Sequence, residues 1–247
     1  FASENRSYLS TVFLAVFKVL LHRYARQDDI IIGMPFNERE PGADQSEIGF
    51  FINMVPIRGA VVADDSFLQF LSQIQKTIVS GLAHSYPFPS LLKTLKGPVS
   101  QSRSPVCQAA FFYQNFSGSD SLVEAGNSFE EKYGVEVVEG ISQEGEYELT
   151  LEVVESGPGF ELNFKYNPSL HKHNTINRLA QHYCRLLSEV LSSPQSSLSD
   201  FSFLSGEEES ALLVDMNQTE VNNQSNYRTG KCLHEVFELR TRQTPDI

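Results

Sequence analysis

Two short segments constrain the fold more than any other feature, because apolar residues recur at every second position within them. In YELTLEVVE, residues 147–155, apolar side chains recur at every second position, and FELNFKY, residues 160–166, repeats the pattern. A period of two is typical of a strand with one face on a core and the other in water. The intervening SGPG favours a turn. The two segments therefore predict an antiparallel hairpin in a sheet that is covered on one face.

Longer segments with apolar residues at spacings of three and four predict the helices that cover this face. They lie at about residues 4–26, 65–83 and 174–190. Further apolar runs predict strands at residues 30–34, ended by Pro35, and at residues 106–116. Helices and strands thus follow one another in mixed order. This order predicts an α/β (α+β) two-layer sandwich, in which a mixed sheet carries helices packed on it.

Residues 48–58, IGFFINMVPIR, are apolar on both faces of any strand that they form. We therefore expect a strand buried on both faces, in which Pro56 requires a bulge, an edge position or the strand's end. Asn53 is the one side-chain amide near the middle of this run. Buried without a partner, an amide costs about 1–3 kcal/mol. Asn53 is therefore expected either to close a structural hydrogen bond or to face a wet channel through which polar groups pass.

Charge and composition exclude several classes of function. The net charge is −12, from 19 basic and 31 acidic residues, and the basic residues form no stripe, which argues against a nucleic-acid partner. Since no run of about 18 apolar residues occurs, we expect no membrane association and a cytoplasmic location. The three cysteines lie far apart, as is typical of reduced cytosolic thiols. A chain that opens on Phe1 rather than on a methionine is expected to be a piece of a longer polypeptide.

No complete catalytic or metal site can be predicted from residue spacing alone. The sequence contains none of the glycine-rich phosphate-binding motifs and no GxSxG nucleophile motif. His171 and His173 flank a lysine at a helix entrance, where a solvated turn is the more common reading than a metal site. The residues by themselves therefore predict an α/β domain, a linker and the beginning of a further domain.

Several stretches, taken in order, resemble the condensation domains of nonribosomal peptide synthetases. IGFFINMVPIR is similar to the family motif [IV]GxFVNTxxxR, and HSYPFP is similar to (H/N)QDYPFE, from which Ser85 and Pro89 depart. SRSPVCQ resembles SRNPLFQ, with Cys107 in place of Phe. The hairpin resembles the family's late hairpin, and LHEVFELRTRQTPD resembles the first helix of an adenylation domain. The resemblance covers nearly all 247 residues in the family's order.

Members of this family have two lobes, each related to chloramphenicol acetyltransferase, and carrier-protein arms enter a tunnel between them. The family's HHxxxDG signature lies on the first lobe, and this chain contains no adjacent pair of histidines. The resemblance therefore implies a second lobe with no catalytic residue of its own. It implies a parent enzyme that joins an acyl or peptidyl thioester to an aminoacyl thioester through an amide bond. No cofactor is expected to bind directly, because both substrates hang on phosphopantetheine arms.

The resemblance also implies domain bounds and partners. Residues 1–192 are expected to form the C-terminal lobe, residues 193–232 a linker, and residues 233–247 the first helix of a truncated adenylation domain. The expected partners are the missing N-terminal lobe, the adenylation domain and the donor and acceptor carrier proteins. Residues 117–146 are expected either to carry a crossover that clasps the first lobe or to be a disordered insertion.

Four residues are candidates for the site. By resemblance Asn53 lies near the tunnel, although a structural hydrogen bond is an equally good reading of this amide. Arg58 is expected to close its strand or to pair with a carboxylate, and His84 to cap a helix. Arg103 is expected either to meet acidic groups of the absent lobe or to hold its own loop.

Two other functions remain open at this point. The lobe could act as a binding module that presents docking surface to carrier and adenylation domains without catalysis. An epimerization domain, which shares the fold, is the other reading. The FFINM segment within residues 50–54 argues against it, because epimerization domains typically lack an FVNT-like sequence there.

Overall fold

The computed structural model describes residues 1–39, 49–95, 103–114, 147–156, 159–217 and 232–243, in two compact units, Phe1–Phe203 and Leu204–Ile247. The helices of the first unit are α1 (Leu9–Ala25), α2 (Phe67–Ala83), α3 (Phe88–Thr94) and α4 (His173–Ser192). Its strands are β1 (Asp29–Asn37), β2 (Ile52–Ala60), β3 (Ala109–Gln114), β4 (Leu149–Ser156) and β5 (Gly159–Tyr166). The second unit contains α5 (Gly206–Leu213), a 3-10 turn (Asp215–Asn217) and α6 (Leu233–Gln243).

The five strands form one mixed sheet in the order β2-β1-β3-β4-β5. The three central strands are parallel, and each outer strand is antiparallel to its neighbour. The predicted hairpin is confirmed as β4 and β5, with Leu151 paired to Phe164, while Gly157 and Pro158 of the expected turn lie outside the described residues. Because β1, β3 and β4 run in the same direction, their carboxyl-terminal ends lie on the same side of the sheet. We call this side the carboxyl end of the sheet.

The core lies between one face of the sheet and helices α1, α2 and α4. Phe17 of α1 is fully buried and has its ring centre 6.5 Å from that of Phe164 and 6.4 Å from that of Tyr183. The Tyr183 hydroxyl donates a hydrogen bond of 3.0 Å to the carbonyl of Phe13. Ile74 of α2 approaches Gly59 so closely that a Cβ atom added to this glycine would lie 3.1 Å from the Cδ1 atom of Ile74. The expected two-layer arrangement of helices on a mixed sheet is therefore observed.

Two expectations about the first strands are wrong. β1 continues through Pro35 to Asn37, with Pro35 opposite Met54 of β2, so this proline does not end the strand. β2, an outer strand of the sheet that the described residues form, is not buried on both faces, since Ile52, Arg58 and Ala60 on its second face are exposed. Its buried residues are Val55 and Ile57, which alternate along one face. The edge position also accommodates Pro56, which has no N–H to donate.

Residues 193–203 pack against the rest of the first unit through hydrogen bonds and buried side chains. Leu198 and Phe201 are buried, and the Leu198 N–H donates to the carbonyl of Asp65 at 2.9 Å. Arg23, near the end of α1, donates from Nη2 to the carbonyls of Leu198, Ser199 and Phe201 at 3.4, 2.9 and 2.7 Å. The assignment of residues 193–232 as an interdomain linker stays a prediction.

Replacing Arg23 with Met is expected to lower the free energy of unfolding by about 1–3 kcal/mol, since hydrogen bonds to charged groups contribute about 1.5–3 kcal/mol. The variant retains an unbranched apolar stem but leaves three carbonyls without their donor. Urea unfolding measures the loss, and amide hydrogen exchange at Leu198 and Ser199 should become faster. Arg178→Met, on the exposed face of α4, is the matched control. Equal stability of the two variants would contradict this role of Arg23.

The first helix of the second unit begins with a side-chain cap. Ser205 and Glu208 form a reciprocal capping box at the start of α5, where each side chain accepts a hydrogen bond from the backbone N–H of the other residue. This geometry satisfies two backbone donors that the first helical turn would otherwise leave unpaired. α6 follows in the segment that resembles the start of an adenylation domain.

Candidate functional site

Asn53 is the second residue of β2 and lies at the carboxyl end of the sheet. Its side chain joins three segments of the chain. Its Nδ2 donates to Glu38 Oε1 at 2.9 Å, to Ser85 Oγ at 3.0 Å and to the carbonyl of Tyr86 at 3.1 Å. Its Oδ1 accepts a hydrogen bond of 3.0 Å from the Phe88 N–H at the start of α3. Both ends of the amide therefore have partners within the lobe.

The carboxylate of Glu38 is held by two donors. The Ser85 hydroxyl and the Asn53 amide both donate to Oε1, and these two hydrogen bonds lower the pKa of Glu38 below its usual value. The carboxylate is therefore ionised at neutral pH. The Glu38 N–H donates to the carbonyl of Phe51 at 2.8 Å, which fixes the backbone of Glu38 beside the start of β2. We call Glu38, Asn53 and Ser85 the Asn53 cluster.

Exposed apolar side chains occur in the same segments as the Asn53 cluster. The exposed fractions of Phe50, Ile52 and Tyr86 are 91%, 53% and 55%. The guanidinium carbon of Arg39 lies 3.9 Å from the centre of the Phe51 ring, a cation–π distance. In open α/β sheets, ligands commonly bind beyond the carboxyl ends of the parallel strands. Hydrogen-bonding groups and apolar surface are therefore combined where the sheet topology favours a ligand.

Arg58 lies near the opposite end of β2 and pairs with Asp29 of β1. Its Nε donates to both Asp29 oxygens at 3.0 Å, and Nη2 lies 2.5 Å from Oδ2. The Arg58 guanidinium lowers the pKa of Asp29 through this hydrogen-bonded pair, and the carboxylate raises the pKa of Arg58. The pair ties the two strands together on the surface.

His84 and Arg103 contact their own surroundings at two different places. His84 is the C-cap residue of α2, where its Nδ1 lies 2.8 Å from the carbonyl of Ser80 and its N–H donates to the same carbonyl at 3.1 Å. The Nε atom of Arg103 lies 3.3 Å from Glu148 Oε1, just before β4 begins. Of the three candidates other than Asn53, only His84 is directly next to a member of the Asn53 cluster along the chain, namely Ser85.

Sequence reasoning missed Glu38 as a site residue and treated Ser85 only as a departure from a motif. Glu38 belongs to a polar stretch that reads as a loop, and its sequence separation from Asn53 hides the contact. The signal that could have found Glu38 is strand pairing, because Phe36 is opposite Asn53 and Asn37 is opposite Ile52. Continuing this antiparallel register brings Glu38 to Phe51.

The SRSPVCQ segment contains a strained turn directly before β3. Val106 has φ of 68°, in the left-handed region, and the Cys107 N–H donates to the carbonyl of Pro105 at 2.8 Å. This is a γ-turn of the rare positive-φ kind, which a β-branched residue adopts only at an energetic cost. Cys107 is fully buried, and a Cβ added to Gly33 would lie 3.5 Å from that of Cys107. Tight packing after the turn therefore opposes its relaxation.

The described ranges contain no candidate metal centre and no helix that could span a membrane. No group of three or more His, Cys, Asp or Glu side chains there is arranged to hold a metal ion. None of the helices described is both long and apolar enough to cross a membrane.

Comparison with known proteins identifies the family. The family model of the condensation domain matches residues 1–213. Polyketide synthase PksN of Bacillus subtilis (strain 168) is 37% identical over 247 residues, which is 100% of this chain and 4% of that protein. Gramicidin S synthase 2 of Brevibacillus brevis is 28% identical over 252 residues, covering 99% of this chain and 5% of that protein.

Solved structures share the fold. Holo-AB3403, a four-domain nonribosomal peptide synthetase bound to AMP and glycine, matches 84% of this chain and 16% of its own, with a TM-score of 0.72 and 21% identity. The condensation domain of the monacolin K polyketide synthase MokA matches 80% of this chain and 44% of its own, with a TM-score of 0.66 and 21% identity. The chain therefore spans a small fraction of its curated relatives. It has the chloramphenicol acetyltransferase-like α/β fold, and it belongs to the condensation-domain family.

Proposed function

We propose that this chain is the second lobe of a condensation domain and forms one wall of a tunnel in which an amide bond is made. The observation that carries the proposal is the extent of the structural match to the MokA condensation domain. The match includes 80% of this chain but only 44% of that domain, as expected for one lobe of two. The proposal is supported by the ordered motifs and by the absence of an HHxxxDG sequence from these 247 residues. On this proposal the lobe is catalytically inactive alone and forms the amide bond only together with the preceding lobe.

The reaction joins an acyl or peptidyl thioester to an aminoacyl thioester. The acceptor's amine nitrogen attacks the donor's carbonyl carbon, the new C–N bond forms and the C–S bond breaks. The donor arm leaves as a thiol, and the amine loses a proton. Because the carbonyl is already activated as a thioester, holding two tethered reactants in line supplies much of the rate, and such positioning contributes up to about 7–11 kcal/mol.

The substrates are proposed to arrive on phosphopantetheine arms of donor and acceptor carrier proteins. A pantetheine arm has amide groups and a dimethyl-substituted carbon, so it needs both hydrogen-bonding and apolar surroundings. The Asn53 cluster and the exposed Phe50, Ile52 and Tyr86 supply surfaces of both kinds at the carboxyl end of the sheet. The remaining proposed partners are the N-terminal lobe and an adenylation domain that follows residues 193–232.

The test compares this chain alone with the same chain joined to a preceding lobe that contains HHxxxDG. With loaded donor and acceptor carrier proteins, the isolated chain is expected to form no amide above background, and the joined protein is expected to form condensation product. A joined protein with both HHxxxDG histidines replaced by Ala is the control. Turnover by the isolated chain, or none by the joined protein, would overturn the proposal. Product is measured by mass spectrometry of the acceptor arm.

A further inference from the structure

We propose that Glu38 is a positioning residue for this reaction and supplies the carboxylate that fixes Asn53 and the loop of residues 84–88 at the substrate end of the sheet. In this role Glu38 replaces an acidic residue that the family motif carries in the loop itself. The inference rests on the proposed function, because it concerns the wall that would face the substrate arms.

The carboxylate lies where three segments meet. Glu38 follows β1, Asn53 belongs to β2, and Ser85 follows α2, so no two of the three residues are neighbours along the chain. Glu38 Oε1 accepts from both Asn53 Nδ2 and the Ser85 hydroxyl. The Glu38 backbone is anchored independently by its N–H bond of 2.8 Å to the Phe51 carbonyl. A carboxylate on an anchored backbone can therefore set the position of the loop.

The chemistry of a carboxylate also fixes which way the Asn53 amide points. An ionised carboxylate accepts hydrogen bonds and donates none, so Asn53 must direct its NH2 group toward Glu38. The amide oxygen is then directed to the Phe88 N–H, which it reaches at 3.0 Å. The Tyr86 carbonyl and the Phe88 N–H favour the same orientation of the Asn53 amide, so Glu38 adds to a geometry that the loop backbone already selects. Glutamine at position 38 has the same shape but no charge, so its hydrogen bonds to Asn53 and Ser85 are weaker and hold the loop less firmly.

The sequence of the loop indicates where a carboxylate is replaced. Tyr86, Pro87 and Phe88 match the Tyr-Pro-Phe of the motif (H/N)QDYPFE, in which the preceding residue is Asp. Here that residue is Ser85, whose hydroxyl is uncharged and donates to Glu38. An aspartate at position 85 would bring a second negative charge against Glu38, and like charges at this distance repel. We therefore expect the site to accommodate one carboxylate, either at position 38 or at position 85, but not one at both positions.

The test is a double-mutant exchange in the joined two-lobe protein, measuring kcat and KM for the acceptor carrier. Glu38→Gln and Ser85→Asp are each expected to lower kcat about tenfold, whereas the double variant should recover to within about threefold of the unsubstituted protein. Glu161→Gln, an exposed glutamate on β5, is the matched control and should leave kcat unchanged. Thermal unfolding of every variant separates loss of positioning from loss of folding.

Recovery in the double variant is a result that a general structural defect would not give. Normal kcat in Glu38→Gln, or a double variant no faster than the slower single variant, would overturn the role of Glu38. The Asn53 side-chain NH2 signals in the NMR spectrum of the isolated chain give a second measurement, which does not depend on turnover. These signals should shift in Glu38→Gln and return toward their original positions in the double variant, and unchanged signals would also overturn the inference. An inactive unsubstituted joined protein would instead contradict the proposed function.

Discussion

Replacing Phe17 with Ala is expected to lower the free energy of unfolding of the first unit by about 3–5 kcal/mol, the usual cost of removing a buried aromatic ring. Phe17 is fully buried in α1 and lies between Phe164 of β5 and Tyr183 of α4. The ring therefore joins α1 and α4 to the hairpin. Since domains are stable by only about 5–15 kcal/mol, a loss of this size removes a large part of the total.

The matched control is Phe50→Ala, which deletes the same ring at a position 91% exposed. Surface substitutions of this kind usually change stability by less than about 0.5 kcal/mol. Guanidinium unfolding followed by circular dichroism measures both variants. A Phe17→Ala loss below about 1 kcal/mol would mean that the core between helices and sheet is not packed as described.

α2, α4 and β5 could be predicted because their sequence periods follow directly from burial on one side. α1 is buried all round from Thr11 to Leu20, and β4 also buries Thr150 and Glu152 on its second face, which their polar character did not indicate. The segment of residues 160–166 alternates, and β5 forms with Leu162 and Phe164 toward the core. The apolar run around β2 has no such period, and it was wrongly expected to be buried on both faces. Which strand lies at the edge depends on the sheet order, and a single strand's composition does not encode that order. Exposed apolar residues such as Phe50 therefore look like core residues in the sequence.

The candidate site was predictable in part, for a related reason. Asn53 stands out as one amide in an apolar run, whereas Glu38 and Ser85 lie in polar segments that contain nothing unusual. Their contact with Asn53 arises from the antiparallel register of β1 and β2 and from the path of the chain after α2. Glu38 is 15 positions and Ser85 is 32 positions from Asn53 along the chain. Long-range pairing of this kind has no local period. A motif comparison located the segments but gave no partner for the amide.

Lys18 gives the second large expected effect, a stability difference that depends on pH. Its side chain is fully buried in α1, and Nζ donates to the carbonyl of Ile30 at 2.7 Å. Burial lowers the pKa of Lys18 from 10.5 to about 8, against the opposing attraction of the Asp29 carboxylate. Below pH 8 both folded and unfolded chains hold the proton, so the cost of the buried charge is fully present. Between pH 8 and 10.5 the folded chain loses the proton first, and the Lys18 contribution to stability rises with pH.

The interval between the two pKa values corresponds to about 3 kcal/mol, at about 1.36 kcal/mol per pKa unit. Lys18→Met removes this linkage, so the stability of the variant minus that of the unsubstituted chain should fall by about 3 kcal/mol between pH 8 and 10.5. The difference must be used, because burial also raises the pKa values of Cys107, to about 11, and of Tyr183, and these acids destabilise both proteins as the pH rises. Urea unfolding at pH 7 and 10.5 measures the difference. Lys93→Met, at an exposed position of α3, is the control, and its stability difference from the unsubstituted chain should not change with pH. If the stability difference for Lys18→Met were equally independent of pH, Lys18 would not be a buried charged group.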